Sequence, residues 1–212
     1  MLRIYYAELT GLAAELGELP LSELRRGMLS SCRSESRRRQ SIAGELLLIH
    51  ALRALGQEPA LPLPISLAEK GKPFLPGSSL HFSVSHSGNA AACALSDGPV
   101  GLDLERVRPL NSKLLSRCFS SPEREEILRS SEPEEAFTRL WTRKESYLKA
   151  TGEGIRSSLS ALDTSVPDPS RSFFTVRIGS YVLTVCRLDG DARPDCLEAV
   201  DLSRVIESEI RT

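Results

Sequence analysis

The stretch Pro99–Pro109, PVGLDLERVRP, places two carboxylates two residues apart within a short apolar run. Leu102 and Leu104 alternate with Asp103 and Glu105, and this period of two is typical of a half-buried strand. Because successive side chains of a strand point to opposite faces, Asp103 and Glu105 share one face. Two like charges this close raise each other's pKa unless a positive charge lies between them. The stretch therefore predicts a strand that presents a carboxylate pair to a positively charged group.

The residues before this stretch predict two further strands. Residues 80–87 alternate in polarity, and residues 87–89 have the chemistry of a turn. A second apolar run passes through Cys93 and Leu95 and ends at the turn-forming residues 96–99. The carboxylate strand is thus expected to be the third strand of an antiparallel meander.

Helical and strand patterns alternate along the rest of the chain. Helical patterns cover residues 21–56, 112–129 and 132–150. Strand patterns cover residues 1–10 and, as a hairpin around Gly179, residues 172–188. Ser131 and Glu134 have the spacing of a capping box at the start of the third helix. Together these patterns predict an α+β fold with antiparallel sheets and packed helices, not a doubly wound α/β fold.

Composition indicates an ordinary globular protein of 212 residues, with 41% hydrophobic and 26% charged residues. A net charge of −1 provides no general attraction for nucleic acid. The N-terminal residues lack the apolar core of a signal peptide, and no apolar run is long enough to span a bilayer. Five cysteines, an odd number without a C-x-x-C pair, are typical of a reducing compartment. We therefore expect a cytoplasmic protein that binds neither nucleic acid nor membranes.

The third helical segment carries charges on its own apolar stripe. Apolar residues recur at helical spacing from Phe137 to Leu148, and Lys144 and Glu145 lie on the same face. A charge on such a stripe costs free energy unless it is paired or coordinates something. One alternative is a plain surface pair between Glu145 and Lys149, worth about 0.3–0.5 kcal/mol.

The other alternative is a binding site assembled from separate parts of the chain. Asp103, Glu105 and Glu145 would together form an all-oxygen site suited to a hard divalent cation such as Mg2+. His86, in SVSHSG, is either a hydrogen-bonded structural residue or a phosphate contact. An arginine cluster in the first helical segment is either a solvated face or an anion site; its members are Arg25, Arg26, Arg33, Arg37, Arg38 and Arg39.

Four motifs occur in the order and spacing of a known family. They are GKPF (71–74), FSVSHSG (82–88), VGLDLE (100–105) and WTRKESYLKATGEG (141–154). In these motifs the chain resembles the Sfp-type 4′-phosphopantetheinyl transferases. The resemblance implies a monomer of two similar α+β halves related by pseudo-twofold symmetry. The N-terminal half, residues 1–99, would contact the phosphates and adenine of coenzyme A, and residues 100–212 would carry the metal strand and the KES helix.

The resemblance also implies roles for individual residues. Asp103, Glu105 and Glu145 match the positions that bind Mg2+. The residues expected to contact coenzyme A are Lys72, His86, its neighbour Ser85, Lys149 near the pyrophosphate, and Arg39 or a neighbouring arginine at the 3′-phosphate. The catalytic residues would be Lys149 and a general base, for which Glu145 and Glu123 are both candidates.

The activity implied is the Mg2+-dependent transfer of 4′-phosphopantetheine from coenzyme A to a serine hydroxyl of an acyl, peptidyl or aryl carrier protein. Adenosine 3′,5′-bisphosphate would be released. Such carriers are acidic around their serine, so Arg106, Arg108 and Arg117 are candidates for a docking patch. Two alternatives stay open: a Mg2+-dependent phosphohydrolase acting on a nucleotide or coenzyme A, and an inactive protein that binds coenzyme A or a carrier.

Overall fold

The computed structural model describes residues 1–10, 12, 19–154 and 159–210. Its strands are β1 (Leu2–Glu8), β2 (Ser66–Leu67), β3 (Pro73–Phe74), β4 (His81–Ser87), β5 (Ala90–Ser96), β6 (Val100–Arg106), β7 (Ser172–Ile178), β8 (Tyr181–Arg187) and β9 (Cys196–Ala199). Its helices are α1 (Glu23–Ser30), α2 (Glu35–Arg53), α3 (Ser112–Cys118), α4 (Ser121–Arg129), α5 (Pro133–Thr151) and α6 (Leu202–Ile210). The mixture of antiparallel sheets and packed helices confirms the predicted α+β class.

Two main sheets hold these strands, except for β2 and β3, which pair with each other. The first has the order β4-β5-β1-β9, with antiparallel pairing except between β1 and β9, which run parallel. The second has the order β6-β8-β7 and is wholly antiparallel. The β7–β8 hairpin turns at Gly179, whose φ of 56° is a left-handed conformation that glycine adopts at low cost. The predicted strands and hairpin are thereby confirmed. The predicted meander is wrong, because β6 pairs with β8 in the second sheet and not with β5.

The two sheets pack face to face, and each carries a long helix on its outer face. Small side chains of the first sheet, among them Ala92 and Ala94, form one buried hydrophobic cluster with Leu102 and Leu104 of the second sheet. The opposite face of the first sheet packs against α2, and α5 covers the outer face of the second sheet. The layers are therefore helix, sheet, sheet and helix. The pseudo-twofold relation between the halves stays a prediction.

The C-terminal segment returns to the first sheet. Strand β9 pairs with β1 in the register Arg3–Cys196 to Tyr6–Ala199, and α6 packs against α2. Residues after 100 therefore contribute to both sheets. The division of the chain into two halves at residue 100 stays a prediction. No described helix has the length and apolar character needed to cross a membrane.

Helix boundaries differ from the predictions in three places. The predicted helix 112–129 is interrupted at Phe119, where the backbone is extended, and α4 starts from a capping box formed by Ser120 and Glu123. The predicted capping box at the start of α5 is wrong: its N-cap is Glu132, without a side-chain cap hydrogen bond. Likewise, the helical stretch 21–56 is two helices, because the Ser34 hydroxyl caps α2.

Candidate active site

The site lies where two edge strands from different sheets meet. Strand β4 ends the first sheet, β6 ends the second, and the two strands pack side by side. The Ser85 hydroxyl on β4 donates to Asp103 Oδ1 at 2.9 Å, and the Ser87 hydroxyl donates to Glu105 Oε2 at 2.7 Å. Asp103 is only 5% exposed. The two predicted metal carboxylates therefore lie on the α5 side of β6 and reach the serines of β4 sideways across this seam.

Helix α5 brings a second pair of charged groups to the same seam. Lys149 Nζ donates to Asp103 Oδ1 at 2.7 Å and to the Ser85 hydroxyl at 2.9 Å. The close approach depends on Gly101, because a Cβ atom at this position would lie 2.0 Å from the carbonyl oxygen of Ser146. Lys149 is thus a positively charged group that lies next to the carboxylate pair predicted from the sequence.

Glu145 completes the group of acids. The pKa of Glu145 is raised, chiefly because the side chain is buried. The negative charges of Asp103 and Glu105 raise it further, and the positive charge of Lys149 lowers it. Within the described residues, Glu145 Oε1 and Asp103 Oδ2 are both buried and have no hydrogen-bond partner. The three carboxylates predicted from the sequence are therefore close enough to interact, and two of them present oxygen atoms with unused accepting capacity.

These oxygen atoms fit a hard divalent cation in donor chemistry. Carboxylate oxygens are the ligands that Mg2+ prefers, and Mg2+ sites normally include oxygens from water or from a phosphate substrate. Across the described residues, no group of three or more His, Cys, Asp or Glu side chains is arranged to hold a metal ion by itself. A cation at this position would accordingly need oxygen ligands from outside the chain.

A cleft of about 330 Å³ opens beside Glu145 and Lys149. The segment around β3 forms one wall, and the end of α5 with Gly152 forms the other. Lys72 lies in this wall, and its Nζ donates to the backbone oxygens of Ala150 at 2.8 Å and Val100 at 3.1 Å. Burial lowers the pKa of Lys72. Its ammonium group therefore ties the first half of the chain to the C-terminal end of α5.

Other residues predicted to bind coenzyme A are more dispersed. His86 points away from the serines of β4, and although solvent reaches its ring, desolvation and the charge of Lys149 lower its pKa. Arg39 pairs with Glu35 and lines a separate cavity of about 170 Å³ beside Gly88.

Two other arginines of the N-terminal cluster also have partners within the N-terminal helices. Arg25 Nε lies 3.2 Å from Glu45 Oε2, and Arg38 donates to the Leu29 carbonyl at 2.8 Å. Arg25 and Glu45 also line a cavity of about 150 Å³ that shares Phe82 and Val84 with the cleft beside α5.

Glu123 belongs to a different network from the other carboxylates. It is fully buried and lies 2.7 Å from Nζ of Lys144, which is also fully buried. Its Oε1 accepts from the backbone N–H and hydroxyl of Thr164, and its Oε2 accepts from the Ser120 N–H. The charge on the apolar stripe of α5 is thus paired, as the cost of an isolated buried charge requires.

Sequence reasoning missed this partner of Lys144 and the role of Ser87. The signal for the first was the S-x-x-E spacing of Ser120 and Glu123. The signal for the second was the alternation of serines along β4, which places Ser87 on the same face as Ser85.

Comparison with known proteins identifies the family. The model of the 4′-phosphopantetheinyl transferase superfamily matches residues 99–199. The chain is 33% identical over 180 residues to the 4′-phosphopantetheinyl transferase AcpT of Salmonella typhimurium, a match that covers 81% of this chain and 88% of AcpT. The chain belongs to the 4′-phosphopantetheinyl transferase family. This result confirms the resemblance inferred from the four sequence motifs.

Relatives from Bacillus agree with this assignment. The chain is 28% identical over 185 residues to a 4′-phosphopantetheinyl transferase of Bacillus subtilis, covering 79% of this chain and 80% of the relative. It is 32% identical over 146 residues to the 4′-phosphopantetheinyl transferase psf-1 of Bacillus pumilus, covering 68% and 62% respectively. The match thus spans less than two thirds of the Bacillus pumilus protein.

Proposed function

We propose that this transferase moves the 4′-phosphopantetheine group of coenzyme A onto a serine hydroxyl of an acyl, peptidyl or aryl carrier protein and releases adenosine 3′,5′-bisphosphate. The observation that carries this proposal is the cluster of Asp103, Glu105, Glu145 and Lys149 beside a cleft between the two halves of the chain. Family membership supports the same reaction. The protein is proposed to act as a cytoplasmic monomer.

In the proposed reaction the carrier serine oxygen attacks the phosphorus atom that bears the pantetheine arm. The new P–O bond forms as the bond from this phosphorus to the bridging oxygen breaks, and adenosine 3′,5′-bisphosphate leaves with that oxygen. Lys149, which lines the cleft, would donate hydrogen bonds to phosphate oxygens, and such charge-assisted interactions are strong. Asp103, Glu105 and Glu145 would hold Mg2+, which when bound neutralises and orients pyrophosphate oxygens.

Glu145 is the better candidate for the general base. Its Oε1 atom has no hydrogen-bond partner among the described residues, so Glu145 keeps an oxygen that can accept a proton. Glu123 is fully buried, and both of its oxygens already accept hydrogen bonds or pair with Lys144. We therefore assign the removal of the serine proton to Glu145, and we assign to Glu123 a structural role.

The coenzyme is proposed to bind in the cleft beside α5. Lys70 and Lys72 line it from one side, and Gly152 and Gly154 leave room on the other. His86 is proposed to contact a coenzyme phosphate, and Arg39 to contact the 3′-phosphate.

The carrier is proposed to approach from the opposite side of the carboxylates. A groove of about 300 Å³ runs from Glu105 past Arg106 and Arg108 to the exposed side chain of Leu114. The stacked rings of Phe137 and Trp141 also line it. Basic side chains around an apolar floor suit a partner that is acidic around an apolar contact. An acidic carrier protein is such a partner.

Intact-protein mass spectrometry tests the proposal directly. An apo carrier protein is incubated with this protein, coenzyme A and Mg2+, and a matched sample contains EDTA. We expect the carrier to gain one phosphopantetheine group only without EDTA. Asp103→Ala should abolish the gain, whereas Asp97→Ala, which removes an exposed aspartate paired with the N-terminal amine, should not.

The same experiment separates the alternatives. Free phosphopantetheine formed without a carrier would favour a phosphohydrolase. Absence of any product with several carriers, despite measurable coenzyme A binding, would favour a binding protein. Full metal-dependent turnover by Asp103→Ala would contradict the proposed role of the carboxylates.

A further inference from the structure

Three serines on β4 bond to groups of β6 across a seam where the two edge strands form no backbone ladder. Ser83, Ser85 and Ser87 alternate along the strand and therefore face β6 together. The Ser83 hydroxyl accepts from the Leu102 N–H at 2.9 Å, and the Ser87 hydroxyl accepts from the Arg106 N–H at 3.2 Å. Side chains of one sheet thus satisfy backbone donors at the edge of the other.

The three serines differ in what else they touch. Ser85 and Ser87 donate to Asp103 Oδ1 and Glu105 Oε2, whereas the Ser83 hydroxyl, within the described residues, bonds to the Leu102 N–H and to no carboxylate. Ser83 and Ser85 are similarly buried, at 5% and 6% exposure. Ser83 can therefore be compared with Ser85 and Ser87. Its hydroxyl bonds to backbone, whereas theirs bond to a carboxylate.

The hydroxyl bonds decide which carboxylate oxygen is left free. Asp103 Oδ1 accepts from both Ser85 and Lys149, while Oδ2 is buried without a hydrogen-bond partner in the described part of the chain. A carboxylate held at one oxygen cannot rotate without losing these bonds, so its second oxygen points in one direction. Groups that orient metal ligands in this way commonly change metal affinity 10–100-fold when they are removed.

We propose that Ser85 and Ser87 are positioning residues that orient Asp103 and Glu105 toward a divalent cation and thereby set the affinity for that cation. This inference rests on the proposed function, because it concerns the cation of the same reaction. It also changes the expectation for Ser85, whose hydroxyl is engaged by Asp103 and Lys149 and does not serve chiefly as a coenzyme contact.

Mn2+ binding measured by electron paramagnetic resonance of the free ion tests this proposal without catalysis. Mg2+ affinity follows from competition with Mn2+. We expect Ser85→Ala and Ser87→Ala each to weaken Mn2+ binding about tenfold or more. Ser83→Ala should leave the affinity within about twofold of wild type, as expected for a hydroxyl outside the ligands' hydrogen-bond shell.

Thermal unfolding in EDTA separates orientation from simple structural damage. Ser83→Ala and Ser85→Ala each remove one hydroxyl from the seam, so we expect similar decreases in Tm. A Ser87→Thr variant retains a hydroxyl at a half-buried position and should recover most of the Mn2+ affinity lost in Ser87→Ala.

The possible results distinguish the two proposals. Loss of Mn2+ affinity in the Ser85 and Ser87 variants but not in the Ser83 variant supports positioning. If all variants bind Mn2+ with wild-type affinity, or if all three serine-to-alanine variants lose the same affinity, positioning is contradicted. The proposed cation site is not contradicted by either result. Absence of Mn2+ binding by the wild-type protein contradicts both positioning and the cation of the proposed function.

Discussion

Replacement of Gly101 by alanine should test whether the approach of α5 to β6 sets the geometry of the site. Gly101 is buried on β6, directly under the helix that carries Glu145 and Lys149. An added Cβ atom would lie 2.0 Å from the Ser146 oxygen and 2.3 Å from the Ala150 nitrogen. Both are backbone atoms of α5, so no side-chain rotation relieves the contact, and the helix itself must move.

The size of the effect follows from these distances. Because ordinary van der Waals contact starts at 3.4 Å, α5 must withdraw by ~1 Å, a displacement that can cost about 10²-fold in rate when reacting groups are misplaced. Forcing an extra methyl group into a packed interior costs about 1–3 kcal/mol. For a chain of this length that free energy corresponds to a fall in Tm of about 2–12 °C.

The assay combines thermal unfolding with the rate of carrier modification measured by mass spectrometry. Gly27→Ala on α1 is the matched control, since a Cβ there meets nothing within 4 Å. It should leave the rate unchanged and raise stability by about 0.5–1 kcal/mol. Wild-type Tm and rate for Gly101→Ala would refute the argument, because the helix would then tolerate the atom without moving.

Two further substitutions test the division of labour between the glutamates. Glu123→Gln leaves the buried Lys144 charge without its partner, so unfolding measurements should show a loss of about 3–5 kcal/mol; unchanged stability with lost turnover would instead make Glu123 the base. Glu145→Gln should raise Tm in EDTA at pH 7 while abolishing transfer. Because the pKa of Glu145 is raised on folding, its stability contribution is present at acid pH and lost as pH rises. The Tm difference should therefore shrink toward pH 4, and a gap independent of pH, or one equal to that of the exposed Glu153→Gln, would contradict this reasoning.

Local periodicity was sufficient to predict the elements that carry the site. The alternation around Asp103 and the apolar stripe of α5 are both properties of short segments, and both elements form where predicted. The end of α5 was also predictable, because Gly152 adopts a φ of 72° that ends the helix in a left-handed residue.

Contacts between distant segments could not be read from local patterns. A helical pattern runs through Phe119, yet the helix stops there because Phe119 is buried against Phe137 and Trp141 of α5. The partner of Lys144 is Glu123, which lies on a different helix. In each case the deciding interaction belongs to the packing of α4 and α5, and no single segment contains it.

The location of the carboxylates at a seam between edge strands has a physical reason. The edge of a sheet leaves backbone N–H and C=O groups without partners, and a second sheet can satisfy them only with polar side chains if no ladder forms. On β4, Ser83 and Ser87 serve this purpose, and Ser85 and Ser87 bring hydroxyl donors next to Asp103 and Glu105. The serines of one strand therefore both join the two sheets and stabilise buried negative charge. For this reason the charged site can lie between two apolar cores.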